Sequence, residues 1–271
     1  MTEIQLVWGS RTDTGLRRKV NEDALIADYP VFLVADGMGG HEAGDEASEL
    51  ALSAFRRFVG QPAVELNDFA AAFAEAVRVV GEISSGKAAA GTTISGVAVS
   101  NNGGATYWLV INIGDSRTYR LSGGQLEQIS VDHSAVQELI DAGRLLPSEA
   151  ERHPERHVIT KAVGAGSRAE PDYWLIPARS GDRLLVCSDG LSKELDNDQI
   201  ATVLLDEFDA DAAATRLVHE ALLHGGKDNV TVVVVDAQVI PDDDFETMPG
   251  LNELDVDTVP RLPMTEGASD G

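Results

Sequence analysis

The chain has almost no cysteine and no long apolar run, and both scarcities limit what kind of protein it can be. Cys187 is the single cysteine among 271 residues, so an intrachain disulfide is impossible. No segment approaches the ~20 consecutive apolar residues that cross a bilayer. The first residues, Met-Thr-Glu-Ile-Gln-Leu, lack the basic and apolar regions of a signal peptide. We therefore expect a cytoplasmic protein without a membrane partner.

Basic residues are also scarce. Lysine and arginine number 21 against 45 acidic residues, which gives a formal net charge of −24. A chain this acidic is repelled by phosphate backbones and anionic lipids, so nucleic acid is not an expected partner. The excess of carboxylates is compatible with binding divalent cations, although acidic surfaces also serve solubility alone.

Apolar residues make up 43% of the chain, enough for a sizeable core. Residues 1–239 show continuous strand and helix patterns without a heptad, so we expect one monomeric domain there. Residues 240–271 are acidic and contain four prolines, a composition that predicts a disordered tail.

Apolar periodicity predicts an α+β fold in which antiparallel sheets are covered by helices. The predicted strands cover residues 4–9, 31–35, 91–100, 107–121, 125–129, 173–176, 183–188 and 230–239. The predicted helices cover residues 43–59, 68–83, 135–142 and 211–224, with Asp68 as the N-cap of the second. The polar stretch 132–165 is typical of a surface flap, and its histidines, His133, His153 and His157, are expected in solvent.

Four aspartates stand at the ends of short apolar strands. Asp36, Asp115 and Asp189 each close such a run, and Asp228 precedes the last one. Because side chains alternate between faces, the last three are predicted to share a face with apolar strand residues. A carboxylate there is costly unless something positive binds it. The repetition predicts a cluster of oxygen ligands for a hard cation such as Mg²⁺ or Mn²⁺.

A glycine-rich turn, Asp36-Gly-Met-Gly-Gly-His41, follows the first of these aspartates. Glycine lets a backbone carbonyl approach an ion closely, so Gly37 is a candidate ligand through its carbonyl oxygen. The segment would also serve as a plain strand-to-helix turn.

Six short motifs, four of which contain these aspartates, occur in a fixed order. They are Arg18-Lys-Val-Asn-Glu22-Asp23, Asp36-Gly-Met-Gly-Gly-His41, Gly91-Thr-Thr93, Gly114-Asp115-Ser-Arg117, Ser188-Asp189-Gly190 and Lys227-Asp228-Asn229. In order and approximate spacing the chain resembles the metal-dependent serine/threonine protein phosphatases of the 2C type, the PPM family, and most of all its bacterial branch. The resemblance covers roughly residues 3–238. It implies a four-layer α-β-β-α sandwich, with two antiparallel sheets flanked by helix pairs and a metal site between the sheets at one end.

The resemblance also implies a metal site with two Mn²⁺ or Mg²⁺ ions, and room for a third. The implied metal ligands are Glu22, Asp23, Asp36, Gly37, Asp115, Asp189 and Asp228. Asp36 would bridge the two core ions, whereas Asp115 with Asp189 would fit the third. Two such ions lower the pKa of a bridging water, and the resulting hydroxide can attack phosphorus without a protein nucleophile.

Two further residues are candidates for catalysis, together with Asp36. Arg18 would grip the substrate phosphate, because its planar guanidinium binds two oxygens at once. His41 would act as a general acid, or would orient a metal-bound water or only the loop. The animal enzymes resemble Asp-Gly-His-Gly-Gly and use that histidine as the acid, whereas this chain has Met38 there.

The implied activity is hydrolysis of phosphoserine and phosphothreonine in proteins, opposing a cognate serine/threonine kinase in bacterial signalling. Two other functions fit the same residues. A silent member of the family would only bind phosphoproteins, but the presence of Asp36, Asp189 and Asp228 argues against it. A metal-dependent esterase acting on a small phosphorylated metabolite stays open, because such a metal site does not read the rest of its substrate.

Overall fold

The computed structural model describes residues 5–39, 43–84, 90–150, 152–164 and 170–239. The predicted tail, 240–271, and His41 lie outside the described residues, so both stay predictions. The strands are β1 (Gln5–Asp13), β2 (Asp23–Asp28), β3 (Val31–Met38), β4 (Gly91–Thr92), β5 (Ile94–Asn102), β6 (Ala105–Ile113), β7 (Arg117–Ser122), β8 (Gln125–Gln128), β9 (Val163–Gly164), β10 (Asp172–Pro177), β11 (Arg183–Cys187) and β12 (Val230–Val239). The helices are α1 (Ala43–Ser53), α2 (Leu66–Ser84), α3 (Ala135–Asp141), α4 (Pro147–Ala150), α5 (Asp189–Ser192), α6 (Asn197–Asp206) and α7 (Ala210–His224).

The strands form two antiparallel sheets, as predicted. The first sheet has the order β1-β12-β11-β7-β8, and the second has the order β10-β6-β5-β3-β4-β9 with β2 paired to β3. The long pairings are β1 with β12 and β5 with β6, each in continuous antiparallel register over most of its length.

Three apolar layers hold four layers of structure together. Between the sheets, Val34 of β3 and Val186 of β11 pack in one buried cluster with Trp108. The outer face of the second sheet buries a cluster with α1 and α2, and the outer face of the first sheet buries another with α6 and α7. The four-layer α-β-β-α sandwich is confirmed.

The predicted strand 107–121 is wrong in one respect, because it is two strands. β6 ends at Ile113 and belongs to the second sheet, whereas β7 begins at Arg117 and belongs to the first. Gly114 makes the break with a φ of +104°, a conformation that favours glycine, and a Cβ there would lie 2.4 Å from the Thr93 methyl. The chain therefore crosses between the sheets at the motif that contains Asp115.

Other boundaries also differ from the predictions. α2 begins at Leu66, so Asp68 lies in its first turn and is not its N-cap. α1 ends at Ser53, and a short 3₁₀ turn at Arg56–Phe58 follows it. Sequence periodicity missed β2 and α6, although α6 starts with a capping box between Asp196 and Gln199.

A buried arginine joins the outer helices to the first sheet. The Arg183 guanidinium pairs with both oxygens of Asp236, at 2.6 and 2.7 Å, and also donates to the carbonyls of Leu204, Glu207 and Phe208. Arg183 thereby satisfies carbonyls at the end of α6 that have no partner within the helix.

Across the described ranges, none of the helices combines the length and the apolar character that a membrane span requires.

Candidate metal centre

Asp23 and Asp36 face each other across two paired strands. The register of β2 and β3 pairs Asp23 with Asp36. Asp36 follows Phe32 and Val34 at two-residue intervals, and both of these residues are buried between the sheets. Since alternate residues share a face, both carboxylates point into the space between the two sheets.

Asp115 and Asp189 reach the same space between the sheets, and each lies beyond the end of its strand. β6 ends at Ile113 and β11 ends at Cys187, so strand alternation no longer sets the direction of either aspartate. Ile113 and Cys187, two residues earlier, are buried on the outer faces of opposite sheets, under different helices. The prediction that each aspartate shares a face with its strand residues is therefore wrong. The Gly114 turn redirects Asp115, and α5 begins at Asp189 and redirects that side chain.

The electrostatics show that the acidic side chains are close together. Burial raises the pKa of Asp36 well above its usual range, and the charges of Asp23, Asp189, Asp115 and Asp228 raise it further. Burial, followed by the charge of Asp189, raises the pKa of Asp115 to about 8. Carboxyl groups this crowded repel one another unless a positive group joins them.

The pKa values of Asp23 and Glu22, which belong to the same acidic cluster, are raised as well. Burial raises the pKa of Asp23 to about 7, although Thr231 and Ser188 donate to its Oδ2 at 2.6 and 2.8 Å. Thr231 belongs to β12 of the first sheet and Ser188 directly follows β11 of the same sheet, so the Asp23 carboxylate is held between the sheets. The pKa of Glu22 is raised as well, first by burial.

Three carboxylate oxygens are buried and find no hydrogen-bond partner among the described residues: Asp23 Oδ1, Asp115 Oδ1 and Asp189 Oδ1. Orphaned oxygens of this kind are costly unless a cation binds them. An all-oxygen set suits Mg²⁺ or Mn²⁺, so the residues fit the predicted ions. In the described part of the chain, however, no three acidic, histidine or cysteine side chains converge as a ready-made ion site.

Two basic side chains neutralise part of this cluster. Arg18 makes a two-point ion pair with Asp228, Nε to Oδ1 at 2.8 Å and Nη2 to Oδ2 at 3.0 Å. The Lys193 ammonium contacts the Asp189 carboxylate and lies 3.8 Å from Asp228 Oδ2. Lys193 was not among the predicted site residues, although its position four residues after Asp189, at the end of a helical turn, was a signal.

Gly37 lies where no larger residue fits. A Cβ on Gly37 would lie 2.1 Å from the Gly44 carbonyl oxygen and 2.5 Å from that of Glu22. The Gly37 amide donates to the Glu22 carbonyl at 3.1 Å. The first turn of α1 therefore packs directly on the backbone that follows Asp36.

The remaining motif residues position this backbone. Thr93 accepts from the Asp36 amide at 2.9 Å through Oγ1, and its own amide donates to the Asp36 carbonyl at 3.0 Å. The same Thr93 hydroxyl lies 2.7 Å from the Ser116 hydroxyl, next to Asp115. Asn229 accepts from the Glu22 amide and donates to the Val20 carbonyl, which ties the Arg18 segment to β12.

An open groove of about 990 Å³ leads to these residues. Arg18, Asp189 and Asp228 line its floor, and the predicted flap lines one side with residues that include Arg156 and His157. Burial, followed by the charge of Lys193, lowers the pKa of His157.

The prediction that His133 is in solvent is wrong. Its side chain is 6% exposed, its Nδ1 accepts from the Gly114 amide at 3.2 Å, and its Nε2 lies 3.2 Å from Asp172 Oδ2. His133 therefore anchors the start of the flap to the turn that carries Asp115.

Comparison with known proteins finds one family. The family model described as protein phosphatase 2C matches residues 17–223. The chain is 38% identical over 256 residues to the serine/threonine protein phosphatase PstP of Mycobacterium tuberculosis, covering 92% of this chain but only 48%, about half, of that relative. It is 33% identical over 236 residues to the protein phosphatase PhpP of Streptococcus pneumoniae, covering 83% of this chain and 94% of PhpP. The crystal structure of a PstP catalytic domain in complex with two manganese ions matches with a TM-score of 0.77 and 36% identity, covering 86% of this chain and 99% of that one.

Proposed function

The chain belongs to the protein phosphatase 2C family, and from this we propose that it removes phosphate from phosphoserine and phosphothreonine in proteins. The observation that carries the proposal is a cluster of six acidic residues with three orphaned carboxylate oxygens, of which Asp115, Asp189 and Asp228 line an open groove together with Arg18. The six are Glu22, Asp23, Asp36, Asp115, Asp189 and Asp228.

We infer that the cluster holds two Mn²⁺ or Mg²⁺ ions. Asp36 would bridge them, with Asp189, Asp228 and the Gly37 carbonyl completing the core. When bound, such ions neutralise phosphate charge and lower the pKa of water. The two manganese ions in the PstP catalytic domain, a relative at 36% identity, support this number.

Arg18 is the proposed phosphate-binding residue. Its guanidinium already makes a two-point contact with the carboxylate of Asp228 and is half exposed, with 49% of the side chain accessible in the groove. A phosphate offers the same pair of oxygens as a carboxylate. With Asp228 holding an ion, the Arg18 guanidinium would be available to bind the phosphate in the same groove.

The proton donor for the departing serine or threonine oxygen is assigned to His41 as a candidate, and orienting water or the loop is its alternative role. Neither His133 nor His157 of the flap is a better candidate for the proton donor. His133 is buried away from the groove floor, and His157 belongs to the exposed rim.

A protein substrate is favoured over a small metabolite by the width of the groove. The groove is open to solvent and extends from the carboxylates to Arg156 and His157 of the flap, so a phosphorylated side chain can enter it while the rest of a protein stays outside. The names of PstP and PhpP, both protein phosphatases, support the same class. We infer that the substrates are phosphoproteins of the cytoplasm, that a cognate kinase is among them, and that the enzyme acts as a monomer.

The test offers the purified chain three substrates: phosphothreonine peptides, phosphoserine peptides and a generic aryl phosphate, each with Mn²⁺ or with EDTA. We expect Mn²⁺-dependent phosphate release from the peptides. Asp189→Asn should nearly abolish it with an unchanged circular dichroism spectrum, whereas Asp198→Asn, the same change at an exposed position of α6, should not. Release from the aryl phosphate alone would favour the metabolite esterase, and no release from any substrate would contradict both enzymes.

A further inference from the structure

Lys193 is a charged residue of the groove that the proposed function leaves without a role. Its ammonium contacts the Asp189 carboxylate, and its backbone amide donates to the Asp189 carbonyl at 2.8 Å. The two residues are thus joined by one helical turn, and their side chains leave it on the same side. About a third of the Lys193 side chain is exposed, at 33%. The backbone therefore holds this positive charge within reach of Asp189.

Asp189 would serve both proposed ion sites. In the core it acts with Asp36 and Asp228, but in the accessory site it has only Asp115 as a further ligand. The accessory site thus has fewer ligands than the core site. A nearby positive charge therefore lowers the affinity of the accessory site for a cation most. Lys193 contacts the Asp189 carboxylate and lines the same groove as Asp115.

The charges of the cluster balance without a third ion. Six ionised carboxylates carry the same total charge as two divalent ions together with Arg18 and Lys193. A third divalent ion would leave the site with net positive charge, in a place where water is partly excluded. Coulomb repulsion is strong in such surroundings.

We propose that Lys193 takes the place of an accessory third cation, so that this chain holds two divalent ions and not three. The inference rests on the proposed function, because it takes Asp189 as a ligand of the two core ions and Asp115 as its companion in the unused accessory site. In the loaded protein the ammonium would need to keep only Asp189, since Asp228 Oδ2 lies 3.8 Å away, beyond hydrogen-bond distance.

The test counts bound Mn²⁺ ions by titration, with the paramagnetic resonance signal of free Mn²⁺ as the readout. We expect two ions on the wild type and a third on Lys193→Gln, bound about tenfold or more tightly than any third ion on the wild type. Lys193→Arg keeps the charge and should bind two. Lys227→Gln is the matched control, because it removes a charge from the same groove whose partner is Glu194, at 3.3 Å.

Asp115→Asn tests the location of the third ion. As a single variant it should leave the number of bound Mn²⁺ ions at two, because the accessory site is not used. In the double variant with Lys193→Gln it should remove the third ion. Three ions on the wild type, or two on a folded Lys193→Gln, would overturn the inference; Lys193→Ala replaces the glutamine variant if that fails to fold. A wild type that binds no Mn²⁺ would instead refute the proposed function, so the two failures are distinguishable.

Discussion

Replacing Asp23 by asparagine should make the metal-free protein more stable at alkaline pH. The Asp23 carboxyl lies between the sheets with one orphaned oxygen, and its pKa is raised from 3.8 to about 7, chiefly by burial. Between these two pH values the folded chain keeps a proton that the unfolded chain has released. Stability is therefore highest at low pH and falls as the pH rises through the folded-state pKa. Asparagine fills the same space and cannot ionise.

The pKa difference sets the size of the effect. One pKa unit corresponds to about 1.4 kcal/mol, so from about pH 5 to about pH 8 Asp23 costs the wild type at most about 3 kcal/mol. Urea unfolding in EDTA at several pH values, for wild type and Asp23→Asn, measures this difference. Asp28→Asn, at the exposed opposite end of β2, is the control and should follow the wild type.

The same variant should bind ions less well. Mn²⁺ binds the folded state and therefore stabilises the wild type, more at alkaline pH where the carboxylates are ionised. Asp23→Asn should show a smaller stabilisation by Mn²⁺. Parallel pH profiles for wild type and Asp23→Asn in EDTA would refute the reasoning, because Asp23 would then titrate alike in both states.

Three further outcomes are expected. Arg18→Lys should lower kcat/KM for phosphopeptides by about tenfold, because lysine cannot make the two-point contact that Arg18 makes; an unchanged value would remove Arg18 from phosphate binding. Arg183→Met should lower the free energy of unfolding in urea by about 3–5 kcal/mol, because it leaves Asp236, whose side chain is only 14% exposed, without its charge partner, and a loss below about 1 kcal/mol would contradict this. Burial raises the pKa of Cys187 to about 12, so a thiol reagent should modify it only after unfolding, and fast reaction with the native protein would count against that environment.

The sequence predicted most strands and the longer helices because their apolar residues follow a clear period. β2 was missed because it is short and begins and ends with an aspartate, Asp23 and Asp28, which weakens its apolar pattern. α6 has only three buried residues, Ile200, Val203 and Leu204, too few for a convincing stripe. Its capping box was a better signal than its periodicity.

The candidate site was predicted by residue type and order, but not by direction. Strand alternation correctly places Asp36 between the sheets, yet applied to Asp115 and Asp189 it places them on opposite outer faces. Two local features instead turn these side chains into the space between the sheets: the positive φ of Gly114 and the start of α5 at Asp189. Neither follows from a strand pattern, because each depends on where the strand ends.

The sequence pattern also did not predict that polar residues of the flap are buried. His133 stands in a polar stretch, which favours solvent, but the Gly114 amide and Asp172 provide partners from distant parts of the chain. Lys193 was missed for a related reason. A lysine after a short turn is ordinarily solvated, and although Asp189 lies on the same turn, Asp228 comes from a distant part of the chain.

Anomalous scattering from crystals grown with Mn²⁺ locates bound ions without reference to activity. We expect two strong peaks about 3.5–4 Å apart, both contacted by Asp36 and one of them by Asp189 and Asp228. Peaks elsewhere on the acidic surface, with this cluster still bound only by Arg18 and Lys193, would contradict this expectation.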